Sequence, residues 1–118
     1  MKTSELTGPA LNNWVAKALG WEQRLWGAIP VWFDPNNENR FRCNVAHWKP
    51  SEDWAQAGPL IDEYNITLGE TYTKTEPHKA MICTGHITEA TIERGQTKLI
   101  AAMRCVVASK FGDEVPDE

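Results

Sequence analysis

The stretch Thr97–Phe111, TKLIAAMRCVVASKF, decides how the rest of the chain must fold. Leu99, Ile100, Met103, Val106, Val107 and Phe111 recur at three- and four-residue spacing, which puts them on one wide stripe of an α-helix. Lys98, Arg104 and Lys110 fall largely outside that stripe. Gly112 follows at once and suits the end of a helix. Cys105 lies inside the apolar pattern and reads as a small hydrophobe. So apolar a stripe needs cover, and the remaining segments are read as that cover. It is also wide enough to serve a contact between copies of the chain, so self-association is expected.

A second helix opens the chain. Thr7 or Gly8 can cap it, Pro9 suits its first position, and Leu11, Trp14, Val15, Ala18 and Leu19 share a face, with Gly20 as the stop. Between the two helices the patterns are short and strand-like. Ala28 to Phe33 predicts a short strand that Pro30 pushes to a sheet edge. Asp34 to Arg40 is a loop by composition. FRCNVAHW, 41–48, predicts a strand, with Arg42 and Trp48 on one side by alternation. Ser51 announces a short helix that Gly58-Pro59 stops. A strand centred on 64–68 follows, then KAMICT, 79–84, a good strand, then 86–95, irregular or a poor strand. The expected class is α+β: a small antiparallel sheet, including 41–48 and 79–84, packs against an N-terminal and a C-terminal helix. One domain spans 1–118, with an acidic tail, 113–118, that frays.

Composition narrows the function classes. Apolar residues make up 42% of the 118 residues and charged residues 24%, near the globular average. No run of about 20 apolar residues exists for a membrane span, and the N-terminus carries no signal-peptide pattern, so no membrane partner is expected. The net charge of -4, without a block of lysine and arginine, argues against bulk nucleic-acid binding. Three cysteines, an odd number, do not suggest a disulfide framework. Cys43-x3-His47 and Cys83-x2-His86 hold the inventory of a zinc site, but on a strand Cys83 and His86 point to opposite faces. No metal and no cofactor are expected. Phosphate loops, nucleophile elbows and zinc-protease motifs are all absent, so no catalytic residue is assigned.

Six tryptophans are several times the usual share for this length. Trp14 belongs to the first helix's apolar face. Trp48 and Trp54 differ: they flank the polar helix start Lys49-Pro50-Ser51-Glu52-Asp53. An indole there offers a flat face to a base, and such stacking is worth about 1–3 kcal/mol per base. Ser51 and Asp53 read first as helix caps, but Asp53 can also accept hydrogen bonds from a nucleobase or ribose. Arg40 and Arg42 supply planar forks that match a phosphate. Trp48, Trp54, Asp53, Ser51, Arg40 and Arg42 are therefore the candidate ligand-binding set.

Three stretches carry a family resemblance: MKTSELTGPALNNWVAKALG at 1–20, KPSEDWAQAGPLIDEYNITL at 49–68, and LIAAMRCVVASKFGDEV at 99–115. The middle one is similar to a PS-x-DWAQ-x-GP-x-I pattern. Together they span both ends and the centre, and the chain resembles the NinX-like accessory proteins of tailed phages. It departs from the family at Asn12 and Asn13, where an Asp-Trp or similar pair is common; the segments 34–40 and 69–95 look individual.

The resemblance implies a non-structural phage product at work in the cytoplasm of the infected bacterium. The favoured expectation is binding rather than catalysis, in counter-defence: sequestering a small nucleotide-like immune signal, or masking a host defence protein. Two other roles stand beside it, an accessory factor in phage DNA replication or recombination and a small nucleotide hydrolase.

Overall fold

The computed structural model describes residues 1–38, 40–83 and 90–116. After a 3-10 turn at Thr3–Glu5 the chain forms α1 (Gly8–Ala18), β1 (Glu22–Trp26), β2 (Ile29–Asp34) and β3 (Arg40–Asn44). It continues with α2 (Trp54–Glu63), β4 (Thr67–Glu70), β5 (His78–Cys83), β6 (Ala90–Gly95) and α3 (Lys98–Phe111). The strands make two antiparallel three-stranded sheets, β1-β2-β3 and β4-β5-β6. The expected α+β class holds, with antiparallel strands against the first and last helices. The strands read at 41–48 and 79–84, expected to share a sheet, lie in different ones.

α3 forms where its apolar pattern demanded. The Thr97 hydroxyl caps it, accepting from the Ile100 N–H at 3.1 Å. The helix is covered on two sides, by α1 and by β5 and β6. As a result Ala101 to Ala108 are all buried, where a one-sided helix would show a stripe. Arg104, expected beside the stripe, is 4% exposed. Its guanidinium donates to the Leu6 carbonyl (2.9 Å), the Arg94 carbonyl (2.8 Å) and the Glu76 carboxylate (2.7 Å). A buried cation persists only with such partners. Most of the apolar stripe is thus covered within the chain itself, and Phe111 at its end stays exposed.

α1 ends as its sequence suggests. Gly20 has φ +86, and the Gly20 and Trp21 N–H groups close back on the Lys17 and Ala16 carbonyls. Leu11, Trp14, Val15 and Ala18 are buried against α3. Ile29–Asp34 is the central strand of its sheet and not an edge. Pro30 is tolerated because β3 pairs only from Val31 onward, so the missing N–H breaks no ladder bond on that side. The strand read at 41–48 ends at Asn44 and turns into a 3-10 segment, Val45–His47.

α2 starts later and runs longer than its sequence suggested. Asp53, not Ser51, is its N-cap, accepting from the Ala55 N–H at 2.9 Å. The helix runs through Pro59 to Glu63. The proline deprives only the Ala55 carbonyl of its donor. Ala55 and Pro59 are both exposed, so water can take that place. Leu60 and Ala57 bury the other face and hold the turn together. The stretch 86–95, expected to be irregular or a poor strand, forms β6 from Ala90 to Gly95 and pairs along the whole of β5; 86–89 lie outside the described residues.

The acidic tail, expected to fray over 113–118, is hydrogen-bonded to the N-terminus at its start. The Thr3 N–H donates to the Asp113 carbonyl and the Val115 N–H to the Met1 carbonyl, and Val115 is buried. Residues 117 and 118 lie outside the described residues.

Candidate functional site

Asn12 fixes the segment that carries most of the expected ligand set. It sits on α1 and is 5% exposed. Its carbonyl accepts from the Trp48 indole N–H at 3.0 Å, and its side-chain oxygen accepts from the Ser51 N–H at 3.0 Å. Gln56 clamps the same loop from α2, donating to the His47 carbonyl and accepting from the Lys49 N–H, both at 2.7 Å. The loop from Trp48 to Asp53 is thus tied to both helices before α2 begins. Asn12 was visible in the sequence only as a departure from the family pattern.

This anchoring separates the two tryptophans. Trp48 is 8% exposed and stacks obliquely on Trp21, with ring centroids 4.7 Å apart. Trp54, at the first turn of α2, is 54% exposed. They line different cavities, so the single pocket expected from Trp48, Trp54 and Arg42 is divided in two.

The smaller cavity, about 380 Å³, includes Trp21, Trp48, Asp34, Arg42, Gln56 and Glu63 in its wall. Arg42 lies 5.4 Å from the Trp21 ring centre and donates to Asp34 at 2.9 Å. With Asp34 and Glu63 both present, the guanidinium charge is already answered. Arg42 and Trp48 do share this cavity, although the route is the 3-10 turn and not strand alternation.

The larger cavity, about 620 Å³, lies between the start of α2 and the start of α3. Ser51, Glu52 and Trp54 form one side, His78 and residues 96–100 the other. Gly95 explains why these distant segments meet. A Cβ on it would stand 2.6 Å from the Ala101 nitrogen and 2.9 Å from Ile100 Cγ2, so only glycine lets β6 come this close to the first turn of α3. His78 pairs with Gly95 across the sheet and is carried to the same place. Two atoms of this wall are buried without a hydrogen-bond partner, Ser51 Oγ and His78 Nδ1. Both cavities have the size of small-molecule sites.

The other candidates stand apart. Asp53 is occupied as a cap. Arg40 is exposed at the start of β3, and neither cavity wall includes it. Residues missed in the sequence are Trp21, Asp34 and Gln56 in one cavity, and His78, Thr97 and Lys98 in the other. Among the described residues no group of three or more His, Cys, Asp or Glu could hold a metal. His86, half of the Cys83–His86 pair, lies outside the described residues. Burial pushes the thiols of Cys43 and Cys105 up, Cys105 to about 12, away from the thiolate a nucleophile needs. Among the described residues, no helix is long and apolar enough to cross a membrane.

These features define a small α+β domain with two cavities flanking one helix start. Residues 2–110 match the family model described as Bacteriophage P22, NinX, and the chain belongs to that family of phage proteins. A search of the curated proteins returned no match. Among solved structures, the fold is similar to the 2.0 Å crystal structure of a phage protein from Bacillus cereus ATCC 14579. The identity is 14%, over 88% of this chain and 92% of that one, with a TM-score of 0.60. At that identity the likeness concerns the fold alone.

Proposed function

We propose that this phage protein acts by binding rather than catalysis, capturing a small nucleotide-like ligand in counter-defence within the host cytoplasm. The observation that supports this best is Trp54: a 54% exposed indole at the mouth of a cavity of about 620 Å³ whose opposite wall carries Lys98 and His78. An exposed aromatic ring gains nothing for the core and offers a base a stacking surface. Glu52, in the same wall, can accept from a ribose hydroxyl or an exocyclic amine.

Isothermal titration against mononucleotides, cyclic dinucleotides and ADP-ribose-type compounds tests the reading. Heat is expected with at least one, and Trp54→Ala should weaken it by about 1–3 kcal/mol. No heat with any compound sinks the small-molecule reading. Ligand recovered chemically unchanged after denaturation supports capture; a converted product would instead indicate the nucleotide hydrolase. Salt-sensitive binding to single-stranded or branched DNA would favour the replication or recombination role.

A second reading, masking of a host protein, draws on a different surface. Trp26, Ile29 and Phe41 are exposed on the β1-β2-β3 sheet, Trp26 paired with Ile29 and edge-on to Phe41, with Leu25 exposed on the other face. Exposed apolar side chains gathered in this way are of the kind partners use. Here Trp26→Ser should abolish protection of the phage during infection, whereas Trp54→Ala should leave it intact.

A further inference from the structure

We infer that the start of α3 is a phosphate subsite, holding the anionic end of the ligand that Trp54 stacks. The inference rests on the binding reading above for the ring, and on separate observations for the anion.

The first observation is the helix itself. α3 has 14 residues. The N–H groups of Lys98 and Leu99, in its first turn, have no carbonyl of their own helix to reach. The Ile100 and Ala101 N–H groups are taken by the Thr97 hydroxyl and carbonyl. Residues 97–99 lie in the wall of the larger cavity, so the positive end of the helix dipole is directed at that space.

The second observation is independent of the helix. Ser51 belongs to another segment of the chain, stands in the same wall and is 4% exposed, yet its hydroxyl has no hydrogen-bond partner. A buried hydroxyl without a partner is uncommon in a finished fold, because leaving it so costs about 1–3 kcal/mol. His78 Nδ1, also buried and unpartnered, repeats the pattern on the β5 side. A phosphoryl group carries the oxygens that a serine hydroxyl and an imidazole N–H both donate to.

The third is a charge placed against the interest of its own helix. Lys98 is the first residue of α3, where the dipole favours an acid, and the first turn holds no acid at all. A lysine there opposes the helix dipole, and an anion in the cavity would offset that. Local violations of this kind gather at functional sites. The smaller cavity also holds a buried donor without a partner, Arg42 Nε, but Asp34 and Glu63 in the same wall outweigh the single guanidinium charge and disfavour an anion there. Glu52 is the opposing charge in the larger cavity, and its side is the one shared with Trp54, where the sugar or base would lie.

The test is a titration of the isotope-labelled chain with sodium orthophosphate, read at the backbone amides of Ser51, Lys98 and Leu99, with sodium chloride at matched ionic strength as reference. Saturating shifts at these amides with phosphate and not with chloride are expected. Lys98→Glu should weaken the apparent affinity about tenfold, and Ser51→Ala about threefold. Glutamate at the first helical position suits the dipole, so loss of binding in that variant cannot be laid to loss of the helix. Shifts that never saturate, that chloride reproduces, or that Lys98→Glu leaves unchanged overturn the inference. A parallel titration with adenosine, which has no phosphate, reads the Trp54 indole N–H. Adenosine moving Trp54 while phosphate leaves 98 and 99 still would refute the phosphate subsite and spare the ring reading. Phosphate saturating while no nucleoside moves Trp54 would do the reverse.

Discussion

In the layer of α3 on β5 and β6, every residue from Ala101 to Ala108 is buried, whereas at the tip of β1-β2-β3 Leu25, Trp26 and Ile29 are 73%, 63% and 53% exposed. The first region packs small aliphatic side chains tightly enough to hold a guanidinium among them. The second gathers its aromatic rings outside the core: Trp26 lies edge-on to Phe41 at 5.5 Å, and Phe41 to Phe33 at 5.9 Å. Of the β2 residues, Trp32 enters the main core, with Trp21 and Cys43 packed against that cluster. Stability and display are separated in this chain. The C-terminal layer holds the fold, and the N-terminal sheet is tied to it through a few residues while presenting the rest. The larger cavity lies at the margin of the first region, with buried Leu99 in its wall and exposed Trp54 at its lip.

The sharpest way to break this contrast is Arg104→Ala. It would leave the Leu6 and Arg94 carbonyls without their guanidinium donor and the Glu76 carboxylate unpaired. The Glu76 side chain is 38% exposed, so water can take its carboxylate. The two carbonyls left without a donor cost about 1–3 kcal/mol each, and urea denaturation should show a loss of about 2–6 kcal/mol. A loss under 1 kcal/mol would mean that water replaces the guanidinium and that the C-terminal layer is looser than its burial implies.

Gly95→Ala comes next. The added Cβ meets backbone at 2.6 Å, which no rotamer change relieves. Overpacking of this kind costs about 1–3 kcal/mol. The same variant should blunt ligand binding in the larger cavity, because it pushes β6, and His78 opposite, away from α3.

Cys105 is silent at neutral pH and tests the same layer from another direction. Burial, and then the charge of Glu93, raise its thiol from 9.0 to about 12 in the folded chain. The sulfur is the donor in its contacts, 3.2 Å to the Thr91 carbonyl and 3.5 Å to that of Ala80. The unfolded chain gives up this proton from about pH 9, the folded chain only near 12. The contribution is therefore fully present below pH 9 and is lost as pH climbs from 9 to 12. Cys105→Ala should flatten that part of the stability profile. In the native state a thiol reagent should modify exposed Cys83 well before Cys105.

Much of this contrast was legible in the sequence, and the reasons for the rest are specific. α3 was readable because cap, stripe and terminal glycine agree along 97–112, and α1 because Pro9 and Gly20 bracket its apolar face. Arg104 misled because periodicity tells which side a residue is on and not how many sides are covered. α2 misled because Ser51 and Asp53 are both good caps. The helix begins at Trp54 with Asp53 as its cap, while Ser51 stands in the loop before it, its N–H held by Asn12 across 39 residues of sequence. The candidate site was legible by halves. Trp54 and Ser51 stood out from their own segment, but Lys98 and His78 joined them only through the close approach at Gly95, which no local pattern records.

The smallest expected effect on stability belongs to Trp26→Ser, and it sharpens the comparison most. Trp26 pairs with Ile29 next to the hairpin turn, and its ring touches Phe41 without reaching the main core. If the tip is display, little is lost: an exposed aromatic pair is worth about 0.5–1.5 kcal/mol beyond its area, and the denaturation midpoint should move by no more than that. Trp32→Ala, six positions on and wholly buried, is the matched control, with an expected loss of about 3–5 kcal/mol. Should the two variants fall equally, the rings of Trp26, Phe41 and Phe33 form a second core on which the sheet depends, and display would be the wrong word for that surface. Should Trp26→Ser leave the midpoint unmoved, a tryptophan and its apolar neighbours stand in water without a structural reason, and the masking reading gains the surface it requires.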